Sequence, residues 1–343
     1  MRSFLKRLRP GRRRSVLSPL LIFSLALGAH AQAAAPSTTS GEPAPDRRIA
    51  VTIDDLPWQG IGNTADDDLA ARHARLIAQL KLAGAPVVGF VNESKLEVDG
   101  RVRPERLAML EDWLDAGFEL GNHTWGHVDL HEVGVAAFQE DILRGERQLR
   151  PLMAARDQAP RWFRHPYLRA GRSQADKAAV VDFLAGHGYR VAPVTVDNSE
   201  WIWAFAYERV LAQADPAARE ATLERLRLGY VPYMLNKLDY YERQSIDLLG
   251  YALPQVWLLH ANTLNADTYA ELVAAVRRRG YRTIGLDEAM ADPAYARPDG
   301  YEGRWGPSWL HRWAMAEKRP KAFYAGEPQV PRWVLDLAGL ESE

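Results

Sequence analysis

Cysteine is absent from all 343 residues. This excludes disulfides, and it limits any metal site to imidazole, carboxylate and water ligands. Long apolar runs are also lacking. The best candidate, residues 16–27, carries Ser18 and Pro19 and falls short of the roughly 20 residues a membrane-spanning helix needs. Excess positive charge is missing too, once the first residues are set aside. Residues 1–33 hold seven of the 43 Lys and Arg and none of the 44 Asp and Glu, so the remainder carries a net charge of −8. A chain of that sign has no electrostatic reason to bind nucleic acid.

The first 33 residues read as a signal peptide. Arg2, Lys6, Arg7, Arg9, Arg12, Arg13 and Arg14 precede the apolar run, and small residues surround Ala31 and Ala33. The expectation is an exported protein, periplasmic or secreted, with no membrane span after cleavage. Arg13-Arg14 fits an ordinary basic start as well as a twin-arginine signal, which leaves the route open. Residues 34–46, rich in Ala, Pro, Ser, Thr and Gly, read as a linker.

The folded part is organised around residues 51–57, V-T-I-D-D-L-P. A β-branched, apolar run of this kind makes a buried strand, and it ends abruptly in two carboxylates. Side chains alternate faces along a strand, so Asp54 and Asp55 serve different purposes only where the backbone turns. One can hold a metal while the other handles a proton. Further strands are expected over 86–92, 118–123, 161–165, 189–196, 255–260 and 281–286. Helices are expected from Asp66-Asp67-Asp68, whose charges suit a first turn after Asn63-Thr64, to about Leu82, and over 104–115, 135–149, 173–185 and 267–279. Residues 203–250 break this rhythm and read as one or two inserted helices, interrupted near Gly229 to Pro232. Seven strands alternating with helices imply a mostly parallel sheet. Asp54, Asp55, Asn92, His123, Arg164, Asp197 and His260 all fall at strand ends. Such convergence favours a barrel, whose site lies at the C-terminal face.

Residues 121–127 read G-N-H-T-W-G-H. His123 and His127, four apart, can grip one divalent ion on a helical turn or tight loop, and a carboxylate completes a facial set with open positions. Asp55 closes that set better than His131, which is expected on the surface or behind the site.

In order along the chain stand Thr52-Ile53-Asp54-Asp55, His123-Thr124-x-x-His127, Arg164-x-Pro166-Tyr167, Asp197-x-x-Glu200-Trp201 and Leu258-Leu259-His260. Together they resemble the five motifs of the polysaccharide deacetylase family, over roughly residues 49–286. The resemblance implies a deformed (β/α)7 barrel at 47–290 that removes N- or O-acetyl groups from an acetylated glycan. It implies a divalent ion, zinc first and cobalt, nickel or manganese as alternatives, on Asp55, His123 and His127. It further implies Asp54 as general base, Arg164 orienting that base, the Tyr167 backbone N–H at the oxyanion, His260 as general acid held by Asp197, and Trp201 packed nearby. Two positions depart from the pattern: Leu56-Pro57 where many members have glycine, and Glu200 where aspartate is usual.

Two alternatives stand beside this reading. One is a related barrel amidase acting on a non-sugar carbon–nitrogen bond, with a small amide or ester as substrate. The other is an exported carbohydrate-binding protein without catalysis, which would be expected to lack Asp54 or His260. Residues 291–343 form a Trp-rich extension. The near-helical spacing of Trp305, Trp309 and Trp313 favours an apolar cap on the barrel over a sugar-binding rim.

Overall fold

The computed structural model describes residues 46–60 and 66–343. The expected signal peptide, most of the linker and the Asn63-Thr64 cap lie outside the described residues.

Seven strands form one mostly parallel sheet: β1 (Arg48–Leu56), β2 (Val87–Val91), β3 (Glu119–Asn122), β4 (Trp162–Phe163), β5 (Arg190–Val191), β6 (Gln255–His260) and β7 (Arg282–Ile284). β1 is its centre. Its residues are buried along nearly the whole strand, as expected where both faces of a parallel sheet are covered. β6 runs along one side of β1, and β2 pairs its second half on the other. β7 pairs with Arg48, Ile49 and Ala50 at the first half. From β2 the sheet continues through β3 and β4 to β5. The chain leaving β5 then crosses to β6, where Val196 bridges Trp257 and the N–H groups of Thr195 and Val196 reach Val256 O. The sheet therefore curls round to meet itself, giving a deformed (β/α) barrel closed by a very short seam.

β4 and β5 are each only two residues long, shorter than the runs expected over 161–165 and 189–196. After β5 the chain pairs first with β4, through Ala192 N–H to Phe163 O, and later with β6. It changes neighbours at Pro193, which has no N–H to offer a ladder.

Helices α1 (Asp66–Ala83), α2 (Pro104–Asp115), α3 (Leu130–Arg144), α4 (Leu149–Ala154), α5 (Gln174–Gly186), α6 (Glu200–Leu211), α7 (Pro216–Leu249) and α8 (Thr263–Arg278) cover the outside. Their ends follow local chemistry. Ser173 and Asp176 form a reciprocal capping box at α5, Asn262 caps α8 through Asn265 N, and Asp215 caps α7 through Ala217 N and Ala218 N. α3 was expected over 135–149 but ends at Arg144. There Gly145 presses on the backbone of Thr124 and Trp125, where a Cβ would stand 2.7 Å away, and so seats the helix end beneath the His123 loop.

The expected interruption near Gly229 to Pro232 does not occur. α7 runs through Pro232 for 34 residues. An interior proline costs about 3 kcal/mol or more. Burial of Tyr230, Tyr233, Met234, Tyr240 and Tyr241 on the inner face offsets this, each large side chain contributing on the order of 1.5–3 kcal/mol. Beyond the barrel come α9 (Leu286–Met290), α10 (Trp309–Ala316) and α11 (Arg332–Ala338). Trp309 and Trp313 are buried, but the helix starts only at Trp309, and Trp305 stands outside it and exposed. Among the described residues no helix is long and apolar enough to cross a membrane.

Candidate active site

The site begins with the end of β1. In regular strand geometry Asp54 and Asp55 would point to opposite faces, but Asp55 takes a left-handed conformation (φ 71°) and the pairing with β2 shifts register between Ile53 and Leu56. That local bend brings both carboxylates to one cavity of about 420 Å3 at the C-terminal ends of the strands. Asp54, Asp55, His123, His127, Tyr167, Asp197, Trp201 and His260 all line it. The sequence did not single out Gln59, His165 or Gly306 for the site, yet they line the cavity too.

His123 and His127 lie on a tight loop after β3, with Thr124 (φ 65°) and His127 (φ 53°) both left-handed. Buried polar side chains shape this loop. Asn92 Nδ2 donates to His123 O (2.6 Å), Asn122 Oδ1 accepts from Thr124 N (2.7 Å), and Asp141 Oδ2 accepts from Gly126 N (2.8 Å). His123 Nδ1 donates to Arg164 O at 2.8 Å, which fixes the tautomer and leaves the Nε2 lone pair facing the cavity. His123 Nε2 and His127 Nε2 lie 4.0 and 3.6 Å from Asp55 Oδ1.

One ligand atom from each of Asp55, His123 and His127 lies within 4.8 Å of the others. The residues fit a divalent cation on two further grounds. Asp54 Oδ1 is buried without a hydrogen-bond donor, and two imidazoles plus a carboxylate form a donor set suited to zinc. Burial favours the neutral imidazoles that ligation requires, and it holds both histidines below their usual pKa. Burial also pushes Asp55 upward, but Lys95, then His127, His260 and His123, outweigh it, and the carboxyl is held well below the ordinary range.

Lys95 carried no signal in the sequence. Its Nζ sits 3.0 Å from Asp55 Oδ1 and donates to Asp55 O at 3.2 Å.

Arg164 lies fully buried beneath the cavity. Nη2 donates to Thr52 Oγ1 (2.8 Å), the guanidinium stands 4.8 Å from the Phe90 ring centroid, and Nη1 approaches Asp54 Oδ2 at 3.8 Å. It therefore acts on Asp54 as a nearby charge and not as a hydrogen-bond donor. Burial raises Asp54 to about 6, with Arg164 and His260 pulling the other way.

The carboxylate that holds His260 differs from the expectation. Glu200 Oε2, not Asp197, accepts from His260 Nδ1 at 2.7 Å. Glu200 is fully buried, and its other oxygen accepts from Asn262 Nδ2 (2.6 Å) and Asn265 Nδ2 (2.8 Å). The reason is reach. Asp197 belongs to the extended segment that ends the seam, while Glu200 opens α6 three residues later and its longer side chain returns to the strand end. Burial lowers His260, but the Glu200 hydrogen bond and charge, then Asp55 and Asp54, raise it to about 9. Asp197 lines the cavity without bonding His260, and burial raises its pKa. Glu200 had been visible only as a departure from the family pattern.

Tyr167 follows Pro166 in a tight turn. Its ring meets His127 edge-on at 4.5 Å, and Trp201, like Tyr167, is substantially exposed at the cavity mouth. His131 lies behind this turn: Gly171 N donates to its Nε2 (3.2 Å), and its Nδ1 donates to Arg304 O (3.2 Å).

Residues 41–191 match the family model for polysaccharide deacetylase. Among solved structures, a family 4 carbohydrate esterase from Streptomyces lividans in complex with acetate is 16% identical, with a TM-score of 0.43, covering 72% of this chain and 97% of that one. A peptidoglycan deacetylase from Bacillus subtilis is 18% identical at a TM-score of 0.44, covering 71% and 91%. A family 4 pseudoenzyme from Bacillus anthracis is 16% identical at 0.47, covering 73% and 66%. No curated protein matches. The match to the polysaccharide deacetylase model takes in the two aspartates, both loop histidines and Arg164 but stops short of Glu200 and His260.

Proposed function

We propose that this chain is an exported, metal-dependent hydrolase that removes acetyl groups, N- or O-linked, from a carbohydrate or cell-wall glycan. The observation that carries the reading is the pairing of Asp54 with His260 in register on neighbouring strands, in the cavity that also holds Asp55, His123 and His127. A carboxylate and an imidazole of opposite tasks thus flank a cation site.

Asp55, His123 and His127 would hold a divalent ion, zinc by preference, which when bound would supply Lewis-acid polarisation of the acetyl carbonyl and a more acidic water. Asp54, donor-free on Oδ1, takes the proton of the attacking water. The Arg164 charge at 3.8 Å helps keep Asp54 ionised. The Tyr167 N–H meets the charge that develops on the carbonyl oxygen. His260, held protonated by Glu200 through Nδ1, delivers a proton from Nε2 to the departing amine or alkoxide. Tyr167 and Trp201 offer aromatic faces to the sugar rings on either side. The leader composition of residues 1–33 supports export.

Acetate release from a panel of N- and O-acetylated oligosaccharides tests this reading. Release from at least one acetylated sugar, lost with a chelator and restored by a divalent ion, is the expected result. Release only from non-sugar amides would overturn the substrate class.

A further inference from the structure

Tyr167 and Leu168 both sit at positive φ (56° and 54°), a conformation that ordinary side chains rarely take. Such backbone persists only where its surroundings over-determine it. The turn's own bonds run from Leu168 N–H to His165 O and from Arg169 N–H to Pro166 O, both 3.1 Å, and neither involves the Tyr167 N–H.

Arg169 pairs with Asp129 beside the turn, and a further restraint comes from far along the chain. Gly306 lies so close that a Cβ on it would stand 1.9 Å from Tyr167 O. Arg312, buried on α10, spreads one guanidinium over three acceptors: Nη2 donates to Leu168 O, Nη1 to Asp299 Oδ2 (2.8 Å) and Nε to Pro307 O (3.0 Å). Asp299 is in turn paired with Lys177 on α5 at 2.9 Å. Gly306 also lines the catalytic cavity.

We propose that residues 299–312, beyond the barrel, are part of the active site, with Gly306 and Arg312 as positioning residues that hold the Tyr167 N–H where the carbonyl oxygen of the reacting acetyl group gains charge. The proposal rests on the deacetylase reading for the identity of that oxygen. A planar fork reaches three separated acceptors from three nitrogens, whereas a lysine presents all its donors from one point. A glycine is required because the extension approaches the Tyr167 carbonyl closer than any side chain permits.

The test uses the full-length zinc-loaded protein and the variant Gly306→Ala, which adds one methyl group without removing a buried charge. We expect kcat on an acetylated chitooligosaccharide to fall about 10- to 100-fold, as for a displaced donor, with KM and zinc affinity unchanged. Arg312→Lys should retain more activity than Arg312→Met. With 15N-tyrosine labelling, the Tyr167 amide resonance should move on adding acetate to the wild type and respond weakly in Gly306→Ala. A folded Gly306→Ala protein with unchanged kcat and an unchanged acetate response overturns the proposal. So does a wild-type Tyr167 amide that ignores acetate, or a joint fall in kcat, zinc affinity and melting temperature. If the wild type cleaves no acetylated sugar but its Tyr167 amide responds to acetate in a Gly306-dependent way, the positioning role stands and the sugar deacetylase reading falls.

Discussion

Asp54 and His260 are register partners on neighbouring parallel strands. Residues that pair in this way point to the same face, so the two groups assigned opposite proton-transfer tasks are fixed by the backbone ladder itself and not by flexible loops.

Asp54→Asn should reduce kcat by about 10²- to 10⁴-fold while leaving divalent-ion content and melting temperature nearly unchanged. Asp54 Oδ2 lies 3.8 Å from His123 Nε2, but Asp54 is outside the three-residue ligand set. Metal analysis alongside kinetics checks this, and loss of the ion would show that the two aspartates have exchanged roles.

The pH profile should depend on Glu200. A histidine whose pKa is raised keeps its proton below that value and loses it as the pH climbs through it, so an acid catalyst of this kind sets the alkaline limb. Without a bound ion His260 stands at about 9, raised mainly by Glu200 against the effect of burial. Glu200→Gln removes the charge and should move the alkaline limb to lower pH by about one to three units. Asp197→Asn, lacking a bond to His260, should leave that limb in place. Rate profiles of both variants across the neutral and alkaline range decide the matter.

His260→Ala should be most damaging for substrates with poor leaving groups. N-acetyl sugars need a proton on the departing nitrogen and should lose about 10²- to 10⁴-fold, whereas aryl acetates should lose far less. Equal losses on both would remove His260 from the acid role.

Lys95 should oppose the cation. Its Nζ contacts the same Asp55 oxygen that faces both imidazoles. Lys95→Met should therefore tighten divalent-ion binding, by about tenfold or more given the repulsion of charges a few ångströms apart. Competition with a coloured chelator reads this directly, without any assay of turnover.

The sequence made much of this legible, for reasons visible in particular residues. β6 matches the expected run over 255–260 because all its residues except the last are buried and it has a clear start and stop. β5 was overestimated because apolar residues continue through Val194 and Val196 after the chain has changed neighbours at Pro193. Glu200 was misjudged because chain order says nothing about how far a side chain returns across a helix start. Lys95 and Gly306 were invisible. One is a lone lysine in a short 3-10 turn, and the other is a glycine whose importance lies in a contact with Tyr167, far away in the chain. The role of α7 was hidden by Pro232, which in an isolated helix would mark an end, while here tertiary burial prevails.

The central strand also bears on the order in which the molecule is made. Thr52 Oγ1 donates to Trp257 O across 205 residues of sequence, and the Asp54–His260 rung spans a similar interval. Contacts so distant close late, because most of the loop entropy must be lost before they form. A nascent chain that has emerged only as far as α6 already owns both carboxylates, both loop histidines and Arg164, but has no acid catalyst and no partner for one whole edge of β1. On the deacetylase reading, a chain that stops before β6 should be inert, and the onset of turnover after dilution from denaturant should serve as a clock for the docking of β6.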